Sequence, residues 1–398
     1  MLRQRHELGL LGAIAICVVI TAVLDSQHNY WTNPGASAID IVRQTSLLGI
    51  FALGAAVVII AGGIDLSSGS VIAFGGTICA TIMYALDKEN MLAAAPISKW
   101  VIAVAILGTL LVGFLIGSLH VWLITVIGLP PFVATLATLV GLRSLGRAIV
   151  ENVTQRSTQV QIYDEDFRYL ATSVWIPALL FVLLAGLMWL LMSRTVTGRH
   201  LYALGGNEQA AKLSGIRTDR LKWLAYCLSS MLSAVAGILY IGDQAVADPQ
   251  TLGRGYELNG IASAVVGGCS LQGGAGTIQG TVLGAFFLRV VIDGVAKIIK
   301  TGADVYEGLI VGVVVVVAVA FNQLRAGGGR RRQLFPGALG IVNILNLGLL
   351  TGVLTALMGP KLLGTFIPLG ANVLGISAGV VALVLLSAVG FMERRKSP

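Results

Sequence analysis

The stretch Leu201–Ile216 reads LYALGGNEQAAKLSGI, a polar island in a 398-residue chain that is 56% hydrophobic. Gly205-Gly206 ends whatever helix precedes. Asn207 is placed to cap a new one, because its side-chain oxygen accepts from the orphan N–H groups of a first turn. Glu208 then lies at the positive helix end, and Glu208 and Lys212 stand four apart in the order that favours an ion pair. Ala211, Leu213 and Ser214 complete the segment. Gly215 stops it, since a left-handed residue past a helix end carries no Cβ penalty there. The spacing predicts about two turns, roughly 10 Å long. So short a helix is not stable alone in water. It needs a surface to lie on, whether as an ordinary loop between membrane spans or as a rigid lever.

Composition gives the setting. Only 12% of residues are charged, against about 25% in soluble domains, and the mean hydropathy is +0.86. Many apolar runs reach the roughly 20 residues a helix needs to cross a bilayer. The short alternating segments of a membrane barrel are absent. The chain is an all-α integral membrane protein. Its net charge of +8 fits basic cytoplasmic loops, and no nucleic-acid partner is expected. Cys17, Cys79, Cys227 and Cys269 lie far apart in or beside apolar runs, which implies buried free thiols and no metal site. The N-terminal run Leu8–Leu24 has no small-residue cleavage site after it, so an uncleaved first span is expected.

Spans are expected near 8–24, 45–62, 68–86, 100–126, 132–150, 174–193, 221–241, 258–272, 278–298 and 304–322, with two more near 338–358 and 365–391. With Arg3 and Arg5 inside, the loop after the sixth span is inside too, and it carries Arg194, Arg199, Lys212, Arg217, Arg220 and Lys222. Arg325 and Arg330–Arg332 after the tenth span, and Arg394, Arg395 and Lys396 after the twelfth, follow the same rule. Both termini and Leu201–Ile216 are therefore expected in the cytoplasm. Three parts emerge: a ten-span core over 1–324, a basic Gly/Arg linker over 325–337, and a two-span appendix over 338–398.

An internal echo lies within the core. Gly62-Gly63-Ile64-Asp65-Leu66-Ser67-Ser68-Gly69 returns 205 residues later as Gly267-Gly268-Cys269-Ser270-Leu271-Gln272-Gly273-Gly274, each copy breaking an apolar run. Interruptions at matching places of two halves point to a transport pathway, although glycine also serves tight helix packing. Asp65 is an ionisable group beside a span, a functional candidate by default, and Asp65 or Ser67 could equally cap the following helix. Gln44, Thr135, Thr138 and Asn259 could line a route for a hydroxylated solute, since such groups both donate and accept. Arg143 and Arg147 are expected to close the fifth span at the outer interface. Arg289, Asp293 and Lys297 are spaced to pair along one face, and His120 reads as a packing residue. No phosphate loop, zinc-protease motif or nucleophile elbow occurs. The chain is thus expected to carry no catalytic residue and no cofactor. An ion-coupled carrier or channel would need its own driving site in the spans, and none is evident.

Four motifs in order carry a family resemblance. GGIDLSSGSV (62–71), PPFVATLATL (130–139), ALGGNEQAAKLSGI (203–216) and VVGGCSLQGGAGTIQGTVLGA (265–285) resemble the permeases of bacterial ABC importers for monosaccharides of the ribose, xylose and galactoside kind. Ser68 stands where the family commonly has Val, and the segment after Arg332 lies outside its usual core. The resemblance implies an inner-membrane homodimer, a cytoplasmic ATPase that uses the ATP, and a periplasmic sugar-binding protein. It also implies a coupling helix at about 205–216, made of Gly205, Gly206, Asn207, Glu208, Ala211, Lys212, Leu213, Ser214 and Gly215. The pathway or gate is expected at Gly62, Gly63, Asp65, Ser67, Gly69, Gly267, Gly268 and Gly274.

Overall fold

A computed structural model describes residues 2–25, 27–155, 157–299, 307–314, 316–317, 320, 335, 337–363 and 370–396. Long apolar helices dominate: α1 (Leu2–Leu24), α2 (Pro34–Ile60), α3 (Ser68–Leu86), α4 (Lys99–Val121), α5 (Pro131–Thr154) and α6 (Trp175–Arg194). A short amphipathic pair follows, α7 (Val196–Gly206) and α8 (Glu208–Leu213). The core continues with α9 (Thr218–Gln244), α10 (Tyr256–Val266) and α11 (Ile278–Ile298), and the chain ends in α12 (Gly337–Leu363) and α13 (Ala371–Lys396). Two-residue strands β1 (Val160–Gln161) and β2 (Val246–Ala247) pair antiparallel and tie two loops together.

Nine helices among the described residues are long and apolar enough to cross a membrane. Helix α11, which carries Arg289, Asp293 and Lys297 in its second half, is not among them. The expected eighth span, 258–272, is corrected: α10 has only 11 residues, about 16 Å or half a bilayer. The tenth expected span is described only in part. The 325–337 linker lies almost wholly outside the described residues.

The core is built around α2 and α9. Burial takes 89% of the most apolar window of α2 and 78% of that of α9, against 22–33% for α1, α4, α5 and α6. The outer helices thus turn apolar side chains toward lipid. Contact with α9 is close because small residues face it: a Cβ on Gly54 would stand 2.7 Å from the Ser229 Cα, and one on Gly117 2.5 Å from the Cys227 Cα. Backbone-to-backbone approach of this kind is how helices associate where no hydrophobic force separates them from lipid. Helices α12 and α13 pack chiefly on each other, along a seam where Gly352 meets Gly375 and Gly379.

Arg143 corrects another expectation. Helix α5 runs on to Thr154, so Arg143 sits near its middle and not at its outer end. Its guanidinium donates to the carbonyls of Pro249 (3.2 Å), Leu252 (2.9 Å) and Gly253 (3.1 Å), with Gln250 O at 3.4 Å. The loop between β2 and α10 dips into the bundle, and a carbonyl there needs an internal partner. Arg147 does pair on the helix surface, with Glu151 at 2.7 Å.

Candidate functional site

Helix α8 forms as its residues dictate. The Asn207 side chain accepts from the Ala210 N–H at 3.0 Å. At the other end Gly215 takes φ +78°, and the N–H groups of Gly215 and Ile216 return to Lys212 O and Ala211 O, the paired bonds of a Schellman stop. Ala211 is the buried residue of the helix. Leu213 is 89% exposed, an apolar tip with no covering. Glu208 Oε1 accepts from Lys212 at 2.9 Å, as spacing suggests, and also from Lys222 on α9 at 2.8 Å. Partial burial pushes the Glu208 carboxyl up, but the bonds from Lys222 and Lys212 outweigh it and hold the group below its ordinary range. The Lys212 ammonium is correspondingly raised by Glu208. The second tether fixes α8 to the foot of α9.

Just before α8, the chain meets the two breaks of the internal echo. Gly274 donates its N–H to Ile60 O, the last residue of α2, at 2.9 Å. Gly205 lies between them: a Cβ there would fall on the Ile60 carbonyl oxygen and stand 2.6 Å from the Gly274 nitrogen and 3.0 Å from the Gly62 nitrogen. A Cβ on Gly273 would stand 2.5 Å from Gly205 O and 2.8 Å from the Gly62 Cα. Three distant segments therefore touch through bare backbone, and Gly62 and Gly274 of the expected gate meet Gly205 of the expected coupling segment at one point. Gly206 faces open space.

The echo itself is real in geometry but shifted by one residue. Helix α2 ends with Gly62 N–H to Ile59 O and Gly63 N–H to Val58 O; α10 ends with Gly268 N–H to Val265 O and Cys269 N–H to Ala264 O. Gly62 and Gly268 both have positive φ, +82° and +95°. The equivalent of Gly62 is thus Gly268, and Gly267 is an ordinary helical C-cap pressed on Gly280.

Asp65 is 2% exposed and does not cap α3. Its Oδ1 accepts from the Ser67 N–H (2.9 Å) and hydroxyl (2.6 Å), and its Oδ2 from Ser229 of α9 (2.8 Å). Ser67 is the N-cap by position, with no side-chain cap bond. The Thr135 hydroxyl accepts from Leu66 N–H at 3.1 Å, and the Tyr226 hydroxyl reaches Ile64 O at 3.4 Å. Thr138 meets His120 Nε2 at 2.7 Å. Thr135 therefore holds the first break and Thr138 packs beside it. Gly69 approaches Gly253, leaving no room for a Cβ 2.5 Å from the Gly253 oxygen. Gln44 and Asn259 lie elsewhere: Gln44 donates to Asp243 (3.2 Å) and Asn259 to Glu307 (3.2 Å).

A family model described as "Branched-chain amino acid transport system / permease component" matches residues 37–319. The chain belongs to this permease family. It is 33% identical over 312 residues to the ribose import permease RbsC of Escherichia coli K12, covering 76% of this chain and 90% of that one. It is 31% identical over 293 residues to the galactose/methyl galactoside import permease MglC of the same organism, covering 72% and 86%. It is 30% identical over 327 residues to the autoinducer 2 import permease LsrC of Photorhabdus luminescens, covering 81% and 91%. No solved structure matches. The permease is a multi-pass inner-membrane transporter component and not an enzyme, as its relatives and its apolar helices together require.

Sequence reasoning missed Lys222 as the anchor of α8 and Arg143 as a clamp. Neither has a local signal, since each partner lies on another element.

Proposed function

We propose that the permease imports a monosaccharide or a related small polyol, driven by a separate cytoplasmic ATPase that docks on α8. Relatives named for ribose and galactose import support the substrate class. The observation that carries the coupling role is α8 itself: a helix closed at both ends, bolted by Glu208 to Lys222, and showing an uncovered Leu213. A fully exposed leucine on a rigid, polar-rimmed body is the anatomy of an interface anchor. Its root, Gly205, abuts both breaks, so a displaced α8 must move them. Import then follows if the two arrangements hold the solute differently.

The permease works as a homodimer, takes its sugar from a periplasmic binding protein, and leaves all ATP chemistry to the ATPase. Both termini and α8 face the cytoplasm, in keeping with the basic loops around Arg194–Lys222. An ion-coupled carrier has less support, since the relatives are named as ribose and galactoside import permeases. The test is reconstitution with a cognate ATPase and sugar-binding protein, and uptake of labelled ribose, xylose and galactose. ATP-dependent accumulation is expected. Equal accumulation without the ATPase refutes the proposal.

A further inference from the structure

About 15 Å from the glycine contact, at the far end of α10, a second polar constellation crosses α2, α9, α10, α11 and the helical segment 307–314. The Phe51 and Tyr256 rings are stacked, with centroids 5.9 Å apart and planes 4° from parallel, and Tyr240 leans on Tyr256 at 4.9 Å. Beside them Arg43 pairs with Asp243, and Asn259 bonds Glu307. Arg289 of α11 completes the group: α11 runs antiparallel to α10, with Gly280 against Gly267 and Gly284 against Ser263, a register that carries Arg289 past Asn259 toward Tyr256.

Arg289 is the unusual member. It makes no ion pair among the described residues, and its buried Nε has no acceptor. The expected pairing along α11 forms without it, between Lys297 and Asp293. A guanidinium left unanswered inside a membrane bundle is costly and marks function by default. Arg43, Gln44, Asp243, Tyr256, Arg289 and Glu307 are all partly exposed, so the group is not sealed within the bundle.

Its chemistry selects a ligand class. Two cations, Arg43 and Arg289, stand against two inward anions, Asp243 and Glu307, with the exposed Asp40 on the outer side of Arg43, so a charged solute gains little net attraction. An apolar one would leave the Arg289 donors empty. A neutral polyhydroxyl compound suits every part: its oxygens accept from the guanidinium fork, its hydroxyls donate to the carboxylates, and the Asn259 and Gln44 amides do both. We infer that Arg289, Asn259, Gln44 and Tyr256 form a reception site for a neutral polyol inside the permease. This inference rests on the import function proposed above.

The test uses the reconstituted complex of permease, ATPase and binding protein with labelled ribose, xylose and galactose. Arg289→Gln is expected to lower sugar taken up per ATP hydrolysed by roughly ten- to a hundred-fold, the worth of a charged hydrogen bond. ATP hydrolysis stimulated by the loaded binding protein stays within about two-fold, because the group lies away from α8. Arg289→Lys restores part of the uptake, and Asn259→Ala lowers it. Wild-type uptake per ATP in both Arg289→Gln and Asn259→Ala overturns the site. So does a loss of uptake and hydrolysis in equal measure, which marks a structural role. If the wild type moves none of the three sugars, the import function fails first and the site falls with it.

Discussion

Gly205→Ala is the sharpest perturbation the fold offers. The new Cβ would fall on the Ile60 carbonyl oxygen and 2.6 Å from the Gly274 nitrogen, where real Cβ contacts essentially never come below 3.0 Å. All three neighbours are backbone, so no side chain can swing away. The contact must open, and the 2.9 Å bond from Gly274 N–H to Ile60 O opens with it. Leaving a buried donor or acceptor unsatisfied costs about 1–3 kcal/mol. Overpacking by one methyl adds about 1–3 kcal/mol. The total of roughly 2–6 kcal/mol falls on the junction between α8 and the two breaks. Even its lower end corresponds to about a 30-fold shift in a two-state equilibrium. Gly206 is the internal control, since a Cβ there meets nothing within 4 Å. The assay is ATP-driven uptake and ATP hydrolysis in proteoliposomes, normalised to inserted permease. Gly205→Ala should lose uptake by an order of magnitude or more while hydrolysis persists, and Gly206→Ala should behave as wild type. Wild-type coupling in Gly205→Ala, or equal damage from both, refutes the lever.

Three further outcomes are expected. Leu213→Asp should abolish capture of the ATPase subunit while leaving thermal unfolding of the permease unchanged, because so exposed a position contributes within about 0.5 kcal/mol to stability; co-purification and a melting curve decide it. Arg143→Leu should strip the loop carbonyls of their donor and destabilise the permease by about 2–5 kcal/mol, read as a lowered melting temperature and as protease cleavage within 245–255. Arg143→Lys should recover only part, lacking the planar fork. Glu208 has its pKa held down in the folded state, so the stability it lends is present above the ordinary carboxylate pKa of about 4.3 and is lost as pH falls through the lower folded value. Hydrogen-exchange protection of residues 208–214 should therefore be constant from pH 8 to pH 6 and fall in acid. Protection that falls already at pH 6 would contradict this.

Local chemistry was legible in the sequence, and tertiary chemistry was not. Asn207, Glu208, Lys212 and Gly215 describe α8 because caps and four-residue pairs form within one turn of their own residues. Lys222 escapes such reasoning, since it stands 14 positions from Glu208 on another helix. The echo was visible as Gly-Gly against Gly-Gly, yet the alignment slips by one. A Schellman stop demands a left-handed residue at one position only, which Gly62 and Gly268 supply, while the next is free to be Gly63 in one copy and Cys269 in the other. The half-length α10 was hidden by the apolar run around it. Arg143 looked like a span boundary because a charge usually ends an apolar run; here acceptors from a distant loop let the helix pass it. Of the four solute-facing candidates, Thr135 and Thr138 hold or flank the first break, and only Gln44 and Asn259 share the constellation with Arg289.

The Arg143 clamp also sets a timetable for biogenesis. The carbonyl of Pro249 lies 106 residues downstream of the arginine, so at a synthesis rate of about 5–20 residues per second the guanidinium is made some 5–20 s before its first acceptor. Through that interval α5 holds an unpartnered charge that costs about 2.5–3.5 kcal/mol at the centre of a membrane helix. The place of α5 in the bundle is therefore completed only by a segment made long after it.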